Sequence, residues 1–244
     1  MKKFLAFTLG EILIALSVIG VVAVLVMPSV VIGQKAAKAK AQFNTAYAQI
    51  ARAVQEMDAN GTSTDPNKYK TAGSFYPELK KYMKVTNDCG KNSEVINSKI
   101  CVSSNSTDFN YKSRSGQNNL SQSLVNNGAF VTSNGMLIMI DNQNNNPDGL
   151  LITVDINGKS NRPNTYGIDV FTFEVIKDGE VLPLGAPGTT KKWSERPASN
   201  CQSVELSSDG SDGTGNNTTS TNGATCAFYA ATNQNYFKSI YKGH

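Results

Sequence analysis

The sequence predicts an α+β fold in which a long N-terminal helix packs on an antiparallel β-sheet, with the first half of the helix in a membrane. The 22 residues from Ile12 to Gly33 carry no charge and are mostly aliphatic, and about 20 such residues span a bilayer as a helix. Short β-branched segments separated by turn residues follow between residues 129 and 185. This second pattern is typical of an antiparallel sheet.

The apolar segment predicts where the rest of the chain lies. A secretory signal peptide has a shorter apolar region that ends in small residues, whereas this one is long enough to remain as an anchor. Lys2 and Lys3 precede it, and basic residues favour the cytoplasmic side. We therefore expect a single membrane pass with an extracytoplasmic C-terminal head.

The first eleven residues combine a short basic leader with a phenylalanine and, four residues later, a glutamate, in the sequence MKKFLAFTLGE. This combination, followed by an apolar helix, resembles the class III leader and N-terminus of type IV pilins and type II secretion pseudopilins. The resemblance implies that a prepilin peptidase removes residues 1–6 by cutting between Ala6 and Phe7, and methylates the new terminus. It also implies that Glu11 is needed for assembly. The family usually has glycine where this chain has Ala6.

The resemblance further implies a pilin-like fold, a bacterial inner-membrane location and later incorporation into a periplasmic or surface filament. The implied partners are further copies of the chain, other pilin-like subunits, the prepilin peptidase and an inner-membrane assembly platform. Within the membrane and assembly helix at 7–33, Gly20 and Pro28 are predicted weak points, because glycine and an internal proline both weaken a helix. In the resembling filaments this stretch loosens when subunits leave the bilayer.

Residues 34–60 are predicted to continue as an amphipathic helix of the head. Five apolar side chains recur there at steps of four, three, four and three, which places them on one helix face: Phe43, Tyr47, Ile50, Val54 and Met57. Asn60-Gly61 is predicted to end the helix. The simplest role for the stripe is packing against the head.

The head is predicted in three parts. Residues 61–128 form a loop and short-helix region, with helices at Ser74–Lys84, capped by Ser74, and at Leu120–Val125. Residues 129–185 form the antiparallel sheet, and Pro183 confines its last strand to an edge. Residues 186–244 are irregular around a low-complexity loop at 207–223, with Ala227 to Tyr229 rejoining the sheet.

The four cysteines favour disulfides over a zinc site, because no Cys-x-x-Cys spacing occurs and the single histidine is the last residue. Of three possible connectivities we predict Cys89–Cys101 and Cys201–Cys226 in an oxidising compartment. This local pairing closes two loops and resembles the disulfide-bounded C-terminal segment of many pilins. In a reducing compartment the thiols stay free.

A candidate calcium site lies at Asp155, Asn157 and Asp169, within the sequence DINGKSNRPNTYGID. Alternating Asp and Asn around a glycine supply the hard oxygen ligands that calcium takes. The EF-hand spacing is missing and Lys159 and Arg162 oppose a cation, so a β-turn is the simpler interpretation. Some of the resembling pseudopilins bind calcium near their sheet. No other cofactor is expected.

Catalysis has little support, because no interior histidine can activate a nucleophile and no phosphate-binding glycine motif occurs. Carboxylate pairs such as Asp141 with Asp148, or Asp155 with Asp169, could serve a glycosidase, yet turn chemistry explains them more simply. The net charge of +4 gives no footprint for nucleic acid. We expect a non-enzymatic, pilin-like structural subunit. The alternatives are an anchored ligand-binding or adhesion domain and, third, an anchored hydrolase.

Overall fold

The computed structural model describes residues 8–91, 100–101, 110–116, 119–120, 126–142, 150–189 and 223–242. These residues form four α-helices, one 3-10 turn and six β-strands. In chain order the elements are α1 (Leu9–Ala59), the 3-10 turn (Pro66–Lys68), α2 (Phe75–Lys81), β1 (Val85–Asp88), β2 (Ala129–Thr132), β3 (Leu137–Asp141), β4 (Leu150–Asp155), β5 (Val170–Val175), β6 (Val181–Pro183), α3 (Cys226–Thr232) and α4 (Tyr236–Lys242).

Helix α1 is one continuous helix of 51 residues, about 76 Å long at 1.5 Å per residue. Its first buried residue is Ala36, so the preceding part projects from the head. The predicted stripe is confirmed at Phe43, Ile50, Val54 and Met57, which are buried. The helix ends as predicted, because Gly61 has φ of +74° and Thr62 N–H donates to the Met57 carbonyl at 2.9 Å.

The six strands form one antiparallel sheet in sequence order from β1 to β6. The predicted hairpin joins β2 to β3, and β6 lies at a sheet edge with Pro183 as its last residue. The α+β prediction is therefore confirmed for the long helix and the antiparallel sheet.

Both faces of the central strands are buried, since every residue of β3, β4 and β5 is inaccessible. One face packs against α1, where Phe43 meets the ring of Phe171 at 4.8 Å between centroids. The other face carries a second apolar cluster that includes Tyr111, Leu120 and Tyr166. Strands that are buried on both faces have continuous apolar runs in their sequence, whereas strands with one exposed face alternate between apolar and polar residues.

Two features of the 61–128 region differ from the sequence-based prediction. Strand β1 was not predicted, because Val-Thr-Asn-Asp is a weak strand signal and pairing with β2 decides its conformation. Ser74 precedes α2 without capping it; its hydroxyl instead accepts a hydrogen bond from Asn142 Nδ2 at 3.3 Å. Most of the second predicted helix, at 121–125, lies outside the described residues.

The prediction for the C-terminal region is wrong over residues 226–242. Residues Ala227 to Tyr229 do not rejoin the sheet; they belong to α3, and α4 follows. Phe237 of α4 packs on Phe43 at 5.8 Å and on Phe171 at 5.9 Å between ring centroids. Tertiary packing therefore makes helices of a short aromatic segment whose local pattern is ambiguous. Of the predicted low-complexity loop at 207–223, all residues but Gly223 lie outside the described residues.

The predicted disulfide between Cys89 and Cys101 is confirmed, with 5.5 Å between the two Cα atoms. Cys226 is also disulfide-bonded. Cys201 lies outside the described residues, so the pairing Cys201–Cys226 stays a prediction.

Candidate functional site

The first candidate site is the exposed half of α1. Large apolar side chains between Leu9 and Val31 are 46–76% exposed, and the most apolar part of this helix has no residue buried by the rest of the protein. The helix is long and apolar enough to cross a membrane, as an anchor or as a signal sequence. Such a surface is unstable in water, so a bilayer or other apolar helices must cover it.

Glu11 lies in the first turn of this helix and completes its N-terminal cap. Its Oε2 accepts hydrogen bonds from Thr8 N–H and from the Thr8 hydroxyl, both at 2.8 Å. In return, the Thr8 hydroxyl accepts from Glu11 N–H at 3.3 Å, which is a capping box. The family resemblance assigns Glu11 to assembly alone, whereas the spacing Thr-x-x-Glu is the sequence signal for this local role.

The two predicted weak points lie within continuous helix. Pro28 is inside α1 and removes one backbone donor, and a Cβ on Gly20 would meet nothing within 4 Å. The structure therefore contains both residues without a break in the helix. The predicted cleavage site, Ala6 and Phe7, lies outside the described residues.

The second candidate site is at the ends of β4 and β5, where the fold brings Asp155, Asn157 and Asp169 together as predicted. Asp155 is fully buried. Its Oδ1 accepts from Asn157 N–H at 3.2 Å and from Gly158 N–H at 2.9 Å. Its Oδ2 accepts from the Tyr111 hydroxyl at 2.6 Å. The turn interpretation is thus confirmed in its hydrogen bonds.

Asp169 is 1% exposed and holds the other end of the same loop. Its Oδ1 accepts from Thr165 N–H at 2.7 Å, and its Oδ2 accepts from Asn164 N–H at 2.9 Å. Asn157 Nδ2 also donates to Oδ2 at 3.2 Å. Each of the four carboxylate oxygens in the pair therefore has at least one donor.

Burial makes both carboxylates weaker acids, and the charge of Asp169 adds to this effect at Asp155. Burial, followed by the charge of Asp169, raises the pKa of Asp155 to about 7. Burial raises the pKa of Asp169 to about 6, against the backbone hydrogen bonds that favour its ionised form. The pKa of Tyr111 is also raised well above its ordinary value, by burial and then by the Asp155 charge.

Two amide oxygens beside this pair are buried and have no hydrogen-bond partner within the described ranges: Asn157 Oδ1 and Asn164 Oδ1. Asn164 is 1% exposed and has a left-handed backbone, with φ of +56°. Two carboxylates with two amide oxygens are a donor set that suits calcium. No group of three or more His, Cys, Asp or Glu side chains placed to hold a metal occurs in the described part of the chain, so calcium at Asp155, Asn157 and Asp169 stays a prediction.

The same burial bears on the hydrolase alternative. A glycosidase needs two carboxylates on either side of an accessible bond, whereas Asp155 and Asp169 are buried against their own loop. Asp148, the partner suggested for Asp141, lies outside the described residues. Tyr111 was missed by the sequence analysis because its contact with Asp155 spans 44 residues and has no local signal.

Comparisons with known proteins add no assignment to this geometry. No family model, curated protein or solved structure matches the chain.

Proposed function

We propose that this protein is a non-enzymatic, pilin-like structural subunit that polymerises through its N-terminal helix, in a type II secretion pseudopilus or a type IV pilus. The observation that carries the proposal is the continuity of α1. This helix projects from the head with exposed apolar side chains, as an apolar rod, and begins at the Thr8–Glu11 capping box. A membrane can cover such a rod before assembly, and equivalent helices can cover it afterwards. The leader resemblance supports this choice over a permanent anchor.

In this proposal Glu11 pairs with the methylated amine of a neighbouring subunit's Phe7. An isolated charge in an apolar medium costs several kcal/mol, and a pair neutralises both charges. The capping box satisfies the Glu11 carboxylate within one subunit, so assembly exchanges the Thr8 contacts for contacts with the neighbouring amine.

The test separates the charge of Glu11 from its capping role. Glu11→Gln keeps an oxygen that can accept from Thr8 N–H and removes only the charge, so we expect normal cleavage and membrane insertion without filaments. Thr8→Val removes the hydroxyl of the cap and keeps the charge, so we expect filaments to form. Filament yield in sheared fractions and the mass of the N-terminal peptide are the measurements.

The outcomes are distinguishable. Wild-type protein that retains Met1 contradicts a prepilin-type subunit and favours the permanent anchor. Normal filaments from Glu11→Gln, or loss of filaments from Thr8→Val alone, contradict the pairing and leave Glu11 as a helix cap.

The second candidate function is a membrane-anchored ligand-binding or adhesion domain. One observation favours it, a polar cleft of about 380 Å³ between the β2–β3 turn and the β4–β5 loop, lined by Gln42, Asn134, Asn157, Lys159 and Asn161 among others. Amide groups of this kind suit a polyhydroxylated ligand. This function requires neither cleavage before Phe7 nor polymerisation, so the N-terminal mass decides between the two.

A further inference from the structure

Basic side chains surround α1 at the level where it enters the head. Lys35, Lys38 and Lys40 are the first charged residues after Glu11. Successive residues of an α-helix are turned by about 100°, so Lys35 and Lys38 share one side of α1 and Lys40 projects from another. Lys35 and Lys38 are exposed and Lys40 is half-buried.

Two further lysines come from α4, which packs on the same stretch of α1. Phe237 of α4 contacts Phe43, which lies three residues beyond Lys40 on α1. The exposed lysines of this short helix are Lys238 and Lys242. We name these five lysines the basic collar: Lys35, Lys38, Lys40, Lys238 and Lys242.

The basic collar has no carboxylate partner among the residues that the structure describes. The ion pairs among the described residues include no lysine of the basic collar. They join Arg52 to Glu56, Lys80 to Asp88 and Lys81 to Glu78. Helix α1 has no acidic residue between Glu11 and Glu56. Exposed Asp178 and Glu180 lie at the β5–β6 turn, which is close to Thr64 and to Tyr47, seven residues beyond Lys40 on α1.

The depth of the basic collar follows from helix geometry. The uncharged segment of 22 residues from Ile12 to Gly33 is about 33 Å long, which matches the ~30 Å hydrocarbon core of a bilayer. Lys35, Lys38 and Lys40 follow within about 10 Å along the helix axis. This distance places their ammonium groups at the level of the lipid phosphates, where lysine side chains reach anionic headgroups.

We propose that the basic collar binds anionic phospholipid headgroups at the bilayer surface from which α1 emerges, and so seats the head on the membrane. The proposal rests on the membrane-spanning role of α1 but not on polymerisation. Lipid binding can therefore be disproved while the proposed polymerisation holds, and polymerisation can be disproved while lipid binding holds.

The test uses the full-length chain in nanodiscs of phosphatidylcholine alone or with about one-third phosphatidylglycerol. Acetylation of each lysine by an activated ester is followed by peptide mass spectrometry. We expect the anionic lipid to slow acetylation of the basic collar about threefold to fivefold, and 0.5 M salt to reverse the effect. Exposed Lys68 and Lys177, near the opposite end of the head, are internal controls and should react equally in both lipids.

A matched pair of variants tests the same proposal by a second measurement. Lys238→Gln with Lys242→Gln should reduce the phosphatidylglycerol that copurifies in mild detergent at least twofold. Lys68→Gln with Lys177→Gln makes the same charge change elsewhere and should leave it unchanged.

Two results would overturn the proposal: equal acetylation of the basic collar in both lipids, or equal lipid retention by the two double variants.

Discussion

Protonation of Asp155 and Asp169 is linked to folding, because burial raises the pKa of both carboxyls, to about 7 and about 6. The unfolded chain releases these protons near pH 4. Between about pH 4 and pH 7 the folded protein therefore holds more protons than the unfolded one, and its stability falls as the pH rises. We expect the melting temperature of the full-length chain in detergent to be several degrees lower at pH 8 than at pH 5.

The control for this pH effect is a neutral isostere. In Asp155→Asn, the amide oxygen can accept from Asn157 N–H and Gly158 N–H, and the amide nitrogen can donate to the Tyr111 oxygen. We expect this variant to lose most of the decline between pH 5 and pH 8. Asp58→Asn, at an exposed position, should behave like wild type. A wild-type stability that rises with pH over this range would contradict the linkage.

Calcium binding would compete with protons at the same two carboxylates. Millimolar calcium should raise the melting temperature by mass action, and more at pH 8 than at pH 5, because the ion requires ionised ligands. Asp155→Asn should abolish the shift, and magnesium is the control ion. No shift in wild type, or the same shift in Asp155→Asn, would mean that the loop is held by hydrogen bonds alone.

The sequence predicted only part of the cluster around Asp155 and Asp169, because only some of its residues are close to each other in the sequence. Asp155, Asn157 and Gly158 form a local turn that their residue types predict, and Asp169 immediately precedes β5. Tyr111 closes the cluster from a distant segment, and the buried amide oxygen of Asn164 depends on its left-handed backbone. The roles of Tyr111 and Asn164 depend on the tertiary structure, so the local sequence pattern could not predict them.

At the level of elements, α4 stabilises the head by covering the end of the amphipathic stripe. Phe237 is 2% exposed and contacts the rings of Phe43, Phe171 and Tyr236. Phe237→Ala should lower the free energy of unfolding by about 3–5 kcal/mol, because it leaves a cavity in this aromatic cluster. Denaturant unfolding is the measurement, and Lys238→Ala on the same helix is the control, with an expected change within about 0.5 kcal/mol. Equal effects would show that α4 is dispensable.

The elements differ in how far the sequence predicted them. Long periodic segments such as α1 and apolar runs such as β4 were recognisable, since length and burial reinforce their patterns. Helices α3 and α4 have only seven residues each, too few to be stable alone. Their aromatic residues suit a strand equally well, and contact with Phe43 and Phe171 decides in favour of helix.

At the level of the whole molecule, the sheet is a central layer that is covered on both faces. The strand pattern predicts one apolar face that covers α1, and the structure adds a second cluster on the opposite face with Tyr111, Leu120 and Tyr166. The Cys89–Cys101 bridge belongs to this second cluster. Segments that lack periodicity supply this layer, which is why composition and periodicity did not indicate it.

The continuity of α1 also determines how the molecule can transmit force. No turn separates the exposed apolar part from the part that begins at Ala36 and forms the wall of the head. A flexible linker would extend before it transmitted a force, whereas a single continuous helix transmits a displacement directly from one end to the other. If the protein is the proposed pilin-like subunit, a displacement of the head therefore moves the apolar end of α1 by the same distance.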